Sequence, residues 1–280
     1  LAGREMLRLG AVFAAGVLVL IGLVLSIPPA PEVTRLPEQI AFGPPPDFAS
    51  IADVNEKKDR FFDYLLPMVE HRNAWVREAR AFLAELQGRI EAGERLTPAD
   101  RERVEALAQR YRLELDGEVA PALVDELLLR ADQLPPSLVL AQAAAESAWG
   151  TSRFARMANN LFGQWCFSEG CGMVPRQRSE GASHEVQRFE TVADAIDSYF
   201  RNLNSHDAYE AVRRLRARAR EEGREPSGPE LAAGLERYSE RGAEYIDELR
   251  AIIRVNSLER LDQPPATELA GQRDSSPAAG

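Results

Sequence analysis

The sequence is short of the residues that build metal sites and nucleophilic triads. Its 280 residues include two cysteines and three histidines. There is no second cysteine pair and no closely spaced histidine pair. A structural zinc site needs four such ligands, and a serine or cysteine nucleophile needs a histidine partner. The sequence therefore predicts no metal and no cofactor, and it makes a secreted amidase or peptidase a weak candidate.

The chain also lacks an excess of positive charge. It has 34 lysines and arginines against 44 aspartates and glutamates, which gives a formal net charge of -10. Binding to nucleic acid depends on basic patches that neutralise phosphates. We therefore expect no nucleic-acid partner. Because the same charge gives no affinity for anionic lipid, any attachment to a membrane must be hydrophobic.

One long uncharged run lies at the N-terminus, from Leu9 to Ile27, after Arg4 and Arg8. Its length is about what a helix needs to cross a hydrocarbon core of ~30 Å. A cleaved signal usually has a shorter apolar region and a small-residue cleavage site, whereas IPPAPEV follows here. We expect residues 1–27 to anchor the chain in the inner membrane, with a cleaved signal peptide as the alternative. The preceding arginines predict an exported, periplasmic body.

Export decides how Cys166 and Cys171 are interpreted. Their C-x4-C spacing, with Gly170 and Gly172 nearby, fits a small loop. In an oxidising compartment this pattern predicts a disulfide bond. Free thiols or a metal site are the alternatives.

The rest of the chain reads mainly as helices. Thr97 and Thr191 begin capping boxes, which predict helix starts, and Pro67 predicts a kink or break in an otherwise helical segment. Strand-like character is confined to residues 174–190, where VPRQR and HEVQRF predict a β-hairpin flap. The predicted fold is therefore mostly α with a small flap. Its predicted parts after the anchor are a Pro-rich linker (28–47), a helical accessory arm (48–118), a main domain (119–260) and a disordered tail (261–280).

Glu146 is the strongest candidate for chemistry. It lies in LVLAQAAAESAWG, where alanines leave a predicted helix with little bulk and Trp149 follows three residues later. A carboxylic acid beside apolar and aromatic groups loses solvation of its charged form, so its pKa rises. Such an acid can protonate a glycosidic oxygen near neutral pH. A solvated or salt-bridged glutamate is the alternative reading of this residue.

Several motifs occur in order around Glu146. LPPSLVLAQAAAESAWGTSRFA and NNLFGQW are followed by GCGMVPRQR, GASHEVQRFET and SYFRNLNSHDAY. Over roughly residues 120–260 the chain resembles the peptidoglycan-cleaving N-acetylglucosaminidase domain of glycoside hydrolase family 73, and within it the Bax-type bacterial proteins. The resemblance implies a lysozyme-like α+β fold. It also implies hydrolysis of the β-1,4 bond after N-acetylglucosamine in peptidoglycan glycan strands, with Glu146 as general acid.

The resemblance further implies a second acidic residue on the flap. Glu185 and Glu180 are the candidates, and alternation along the predicted strand favours Glu185; a solvated hairpin charge is the alternative for either. Tyr238 resembles the first tyrosine of a Y-A-T-D-P-x-Y motif that supports catalysis, although SERGAE stands where ATDPx is usual. Tyr245 is expected to serve packing.

The groove that holds the sugar is predicted from residue chemistry. Amides suit N-acetyl and hydroxyl groups, and aromatic rings suit sugar faces. For Phe162 a plain core position is an equal alternative, and His184 and His206 have no companions for a metal site. The predicted substrate-binding residues are Trp149, Asn160, Phe162, Gln164, Tyr199 and His206.

Two other functions remain open at this stage. A lytic transglycosylase also uses a single glutamate on a similar helix, although NNLFG replaces the usual G-L-M-Q motif. A catalytically inactive wall-binding module is the second alternative. An unrestrained wall hydrolase would endanger the cell that makes it, so we also expect a regulatory protein partner, to which no residue can be attached.

Overall fold

The computed structural model describes residues 42–175 and 183–263. These residues all fall in one unit of the chain, Pro37–Gly280. The predicted anchor, Glu180, most of the Pro-rich linker and most of the tail lie outside them. Within the two described ranges, no helix is long and apolar enough to cross a membrane.

The described residues are mostly helical, as the sequence predicts. Short 3₁₀ turns lie at Phe48–Ser50, Asp207–Tyr209, Ala233–Leu235 and Leu258–Leu261. The α-helices are α1 (Val54–Glu91), α2 (Pro98–Arg110), α3 (Pro121–Arg130), α4 (Pro136–Ser147), α5 (Arg153–Ala158), α6 (Val192–Ser205), α7 (Glu210–Glu221), α8 (Gly228–Ala232) and α9 (Ala243–Val255).

The accessory arm is dominated by one helix rather than two. Helix α1 runs for 38 residues and continues through Pro67, so the break considered there does not occur. A proline removes one bond of the helical ladder. Here Pro67 lies on the exposed face, where water can satisfy the carbonyl that loses its partner. The opposite, apolar face packs against α3, α4 and α6, and this packing holds the helix together.

Both predicted capping boxes are present. The Thr97 hydroxyl accepts a hydrogen bond from the Asp100 amide, and the Asp100 carboxylate accepts one from the Thr97 amide. Thr191 and Asp194 repeat the arrangement at the start of α6. Each box satisfies main-chain donors that a helix start would otherwise leave without partners. These local signals are read correctly from the sequence because they need no tertiary contact.

Helix α4 is the central element, and nearly every side chain along it is buried. A helix that is apolar on all sides can only be accommodated inside the core. Its alanines allow α1, α8 and α9 to pack closely around it. Asp262 caps its N-terminus from the far end of the chain, accepting hydrogen bonds from the Ser137 amide (2.9 Å), the Ser137 hydroxyl (2.7 Å) and the Gly228 amide (2.9 Å).

A small antiparallel sheet stands in place of the predicted hairpin. Its strands are β1 (Trp165–Cys166), β2 (Gly172–Met173) and β3 (Glu185–Gln187), in the order β1-β3-β2. Strand β3 lies inside the second predicted strand. The first predicted strand is wrong for Val174 and Pro175, which follow β2; the remainder of VPRQR lies outside the described residues. Proline cannot donate to a sheet ladder, which disfavours a strand through Pro175. The partners of β3 are β1 and β2, which lie earlier in the sequence.

Candidate active site

Glu146 lies in the last turn of α4, directly before a tight left-handed turn. Ala148, Trp149 and Gly150 have φ values of 49°, 58° and 74°. Consecutive non-glycine residues with positive φ are uncommon and concentrate at functional sites. The Ser147 hydroxyl fixes the turn by donating to the Ala143 carbonyl (2.5 Å) and accepting from the Gly150 amide (2.8 Å). The helix therefore ends abruptly at the candidate acid.

One side of the Glu146 carboxylate faces the main chain at Gly163. Gly163 is exposed and has a φ of 63°. A Cβ atom added there would lie 3.5 Å from Glu146 Oε2. Glycine adopts this conformation without strain, and it places no side chain against this oxygen of the carboxylate. Glu146 itself is half-buried, so part of its side chain remains accessible.

The environment of Glu146 shifts the pKa of its carboxyl upward. Burial raises its pKa above the ordinary value for glutamate, and the nearby negative charge of Glu248 acts in the same direction. A hydrogen bond from the Tyr245 hydroxyl and the positive charge of Arg241 act against this rise. Arg241 is exposed and itself pairs with Glu248 at 2.5 Å, so its pull on Glu146 is weakened. Burial dominates, because desolvation disfavours the charged form.

Tyr245 packs in the core, as expected from the sequence, and it also has a polar contact that the sequence did not indicate. Its side chain is buried, and its hydroxyl contacts the Glu146 carboxylate. Tyr238, the tyrosine that the sequence favoured, donates its hydroxyl proton to the Phe162 carbonyl at 2.8 Å instead. The two tyrosine rings are nearly parallel, with centroids 5.8 Å apart. Tyr238 therefore holds both Tyr245 and the loop that carries Gly163.

The predicted groove residues on the NNLFGQW loop mainly shape that loop. The side-chain Nδ2 of Asn160 donates to the main-chain carbonyls of Gln164 (2.8 Å) and Gln187 (2.9 Å). Its Oδ1 accepts from the main-chain amide of Gln164 (3.1 Å). The Gln164 side chain donates to the Ala195 carbonyl at 2.9 Å. Phe162 is buried and stacks on Tyr199 at 4.2 Å. These side chains satisfy the buried polar groups of the loop, as buried polar groups require. The same contacts hold the loop beside Glu146.

Two further predicted contacts lie in different settings. Trp149 meets the rings of Phe61 and Phe62 on α1 edge to face, at 5.8 and 5.3 Å, with Lys58 5.0 Å from its centre. The arm thus packs against the turn that follows Glu146. His206 is exposed at the end of α6, and its Nδ1 accepts a hydrogen bond from the Ala208 amide.

Glu185 lies on the small sheet, beside a loop that a disulfide closes. Cys166 and Cys171 form the bond, and Cys166 pairs with Glu185 across β1 and β3. Glu185 is 6% exposed, and its carboxylate accepts hydrogen bonds from the main-chain amides of Gly170 (3.1 Å) and Gly172 (2.8 Å). Both of its oxygens therefore bind main-chain groups. Charge-assisted bonds of this kind fix a carboxylate in place. Glu180, the other candidate, lies outside the described residues.

Sequence reasoning missed an exposed aromatic pair on the sheet. Trp165 is 55% exposed and stacks on His184, with ring centroids 4.1 Å apart and planes 10° apart. Phe167 nearby is 73% exposed. The signal that could have found Trp165 is its position directly after NNLFGQ.

Within the described ranges, no group of three or more acidic, histidine or cysteine side chains could hold a metal ion.

Sequence comparison defines the class to which this site belongs. Residues 126–258 match the Glucosaminidase family, described as mannosyl-glycoprotein endo-beta-N-acetylglucosaminidase. The match contains Glu146, Glu185 and Tyr245. The class is that of glycoside hydrolases related to peptidoglycan.

A relative narrows the assignment further. Protein Bax of Escherichia coli (strain K12) is 32% identical over 211 residues, which are 75% of this chain and 74% of that protein. The chain therefore belongs to the Bax-type proteins with a glucosaminidase domain. No solved structure matches it.

Proposed function

We propose that this protein is a peptidoglycan hydrolase, an endo-β-N-acetylglucosaminidase in which Glu146 is the general acid. One observation carries the proposal: the half-buried carboxyl in the last turn of the central helix has a pKa raised by burial and faces the main chain of Gly163, which has no side chain. A protonated carboxyl can donate to the glycosidic oxygen as the bond to the sugar breaks. Water then adds to the sugar carbon, and its proton passes to a second group.

Glu185 is our preferred second carboxylate, with Glu180 as the alternative. Its fixed position on the sheet suits a group that orients water or stabilises positive charge on the sugar ring. The separation of the two carboxylates decides between direct attack and attack by water. A group too far for direct attack favours inversion or help from the acetamido group of the substrate. Tyr238 is proposed to support catalysis by holding the loop at Phe162.

The glycan is proposed to run from Glu146 towards the small sheet. Trp165 follows Gly163 by two residues, so their Cα atoms are at most about 7 Å apart. Its exposed ring offers a stacking surface for a sugar, as aromatic side chains do in ligand sites. Of the residues that the sequence assigns to the groove, His206 is exposed, Trp149 and Gln164 are half-buried, and Asn160, Phe162 and Tyr199 are buried, so the buried ones act on the site through packing.

The structure also gives one reason to keep a lytic transglycosylase as second candidate. Both Glu185 oxygens accept main-chain hydrogen bonds, which leaves the partly accessible Glu146 as the candidate acid. A transglycosylase needs a single glutamate, because the substrate supplies its own nucleophile and an anhydro end is formed.

Mass spectrometry of digested peptidoglycan tests both functions. Purified peptidoglycan is incubated with the protein, with Glu146→Gln, and with Glu236→Gln as a control at an exposed site. We expect fragments with reducing N-acetylglucosamine ends from the protein and the control, and a loss of about 10²–10⁴-fold in rate for Glu146→Gln. Anhydromuramic ends would establish the transglycosylase. Binding without cleavage would identify an inactive wall-binding module.

We place this activity in the periplasm, with the chain held at the inner membrane by residues 1–27. The disulfide between Cys166 and Cys171 supports the compartment, because such bonds persist in oxidising surroundings. Fractionation of cells that produce the full chain tests the location. Recovery in the cytoplasmic fraction, with free thiols at both cysteines, would contradict it.

A further inference from the structure

Gln142 lies one helical turn before Glu146 on α4, so the two side chains share a face of the helix. Its side chain is fully buried, in the part of the core made by the small residues of α4. Burying an amide is costly unless its donors and its acceptor find partners. A buried glutamine behind a candidate catalytic residue therefore calls for a complete account of its hydrogen bonds.

The hydrogen bonds of Gln142 form a directed chain. The Tyr199 hydroxyl donates to Gln142 Oε1. Gln142 Nε2 donates to the Tyr245 hydroxyl oxygen at 2.9 Å, and Tyr245 contacts the Glu146 carboxylate. A tyrosine hydroxyl has one proton to give. Because the Nε2 group of Gln142 is a donor, it cannot take the Tyr245 proton, and the hydrogen-bond partner left for that proton is the Glu146 carboxylate.

The orientation of the Gln142 amide thus decides what Glu146 receives. If the amide were reversed, Oε1 would face Tyr245 and draw its proton away from Glu146. Tyr199 holds the observed orientation by donating to Oε1, and its own ring is fixed by stacking on Phe162 at 4.2 Å. The chain of hydrogen bonds therefore begins at Tyr199 on α6, which stacks on the loop at Phe162, and it ends at the candidate acid.

We propose that Gln142 is a positioning residue of this active site, which acts through Tyr245 to direct a hydrogen bond onto Glu146. The proposal rests on the proposed role of Glu146 as general acid. Gln142 does not touch the substrate in this arrangement; it fixes the proton of Tyr245 and, through it, one rotamer of Glu146. A positioned acid needs less reorganisation at the moment of proton transfer.

Loss of these hydrogen bonds changes the pKa of Glu146 in a defined direction. A hydrogen bond donated to a carboxylate favours its charged form, so loss of the bond raises the pKa further. The activity that depends on protonated Glu146 then persists to higher pH, while the rate at the optimum falls because the acid is less well placed. The titratable groups around Glu146 that also enter this balance are Tyr199 on α6, Tyr209 and Tyr238 in the loops, Arg241 before α9, and Tyr245 and Glu248 on α9.

The test compares Gln142→Met, Tyr245→Phe and the double variant in the full chain. For cleavage of soluble glycan strands from purified peptidoglycan, we expect kcat to fall about tenfold in each, with KM little changed. The basic limb of the pH profile should move to higher pH. The double variant should match Tyr245→Phe alone, because both changes break the same chain.

Asn73→Leu is the matched control. Asn73 is another buried amide, bonded to the Leu134 amide (3.0 Å) and carbonyl (2.8 Å) at the start of α4. We expect it to lower stability without moving the pH profile. If Asn73→Leu moves the basic limb as Gln142→Met does, or if the effects of Gln142→Met and Tyr245→Phe simply add, the proposal fails.

A second measurement separates this proposal from the proposed function. The pKa of Glu146 is followed by NMR of carboxyl-labelled glutamate, with the signal assigned from its absence in Glu146→Gln. We expect Gln142→Met and Tyr245→Phe to raise this pKa even if the protein cuts no peptidoglycan. Tyr199→Phe, which keeps the ring and frees the amide to turn, should give a smaller shift in the same direction and serves if Gln142→Met does not fold. An unchanged pKa in all three variants would overturn the proposal.

Discussion

Two carboxylates flank helix α4, and their surroundings give them opposite properties. Asp132 lies four residues before the helix and is 2% exposed, and Glu146 lies in its last turn. Burial acts to raise the pKa of both groups. For Asp132 the charges of Arg216, Arg220 and Arg80 outweigh burial, and its pKa is lowered. For Glu146 burial prevails, and its pKa is raised.

The difference lies in what the neighbouring side chains supply. Arg220 binds both Asp132 oxygens at 2.6 Å. Arg216, which is fully buried, approaches Asp132 at 3.4 Å and donates to the main-chain carbonyls of Gln133 (3.0 Å) and Leu129 (3.1 Å). Asp132 is therefore an anion that ties α7 to the chain between α3 and α4. Glu146 has a tyrosine hydroxyl and an exposed arginine that already pairs with Glu248, and burial decides the direction of its pKa shift.

The largest effect is expected from Asp132→Asn. The change leaves the buried Arg216 without its counter-ion, and breaking a buried ion pair from one side costs about 3–5 kcal/mol. We expect the free energy of unfolding in urea to fall by this amount. The control is Glu210→Gln, which removes an exposed pair with Arg214 and should change stability by at most about 1 kcal/mol. Equal losses in the two variants would show that the Asp132 cluster is not a structural anion site.

An intermediate effect is expected from Glu185→Gln, which changes a carboxylate bound by main-chain amides rather than by arginines. Glutamine offers one acceptor oxygen where two are used, so one partly exposed main-chain amide loses its partner, at a cost of about 1 kcal/mol. If Glu185 is the second catalytic group, the rate of peptidoglycan cleavage should also fall at least about tenfold.

Removal of the disulfide is the control for Glu185→Gln. Cys166→Ser with Cys171→Ser loosens the same loop and should cost about 2 kcal/mol by the chain-entropy model, while the carboxylate is retained. We expect this double variant to keep more activity than Glu185→Gln. If the two lose activity in parallel, Glu185 acts as a loop anchor and the second catalytic group must be sought elsewhere, with Glu180 first.

Sequence reasoning reached the parts of the site that depend on local pattern. The capping boxes at Thr97 and Thr191, the alanine-rich helix and Glu146 at its end all follow from residues within a few turns of one another. It also predicted a strand over HEVQRF, and the observed strand Glu185–Gln187 lies within that segment. Such features are encoded in short range, so one sequence is enough to find them.

Sequence reasoning missed the features that depend on contacts between residues far apart in the sequence. Tyr245 is separated from Glu146 by about a hundred residues, and no spacing rule joins them. The partners of β3 lie before the predicted hairpin, because a disulfide-closed loop brings β1 and β2 to its two sides. Gln142 could have been found, since a polar residue four positions before the candidate acid lies on the same helix face. Its role became visible only with the tyrosines in place.

The smallest predicted effect is a difference in Tm, and its sign distinguishes Glu146 from Asp132. A carboxyl whose pKa is higher in the folded than in the unfolded protein binds a proton over the window between the two values, so stability falls as pH rises through it. Glu146→Gln removes this penalty, because glutamine stays neutral. We expect the Tm of the variant to match that of the protein at about pH 4 and to exceed it at about pH 8. Asp132 contributes in the opposite direction, since a lowered pKa gives stability that is lost as pH falls. Glu236→Gln, at an exposed site, should show no such trend in differential scanning calorimetry. A Tm for Glu146→Gln that drops below that of the protein as pH rises would mean that Glu146 is stabilised as an anion, and the contrast between the two ends of α4 would be lost.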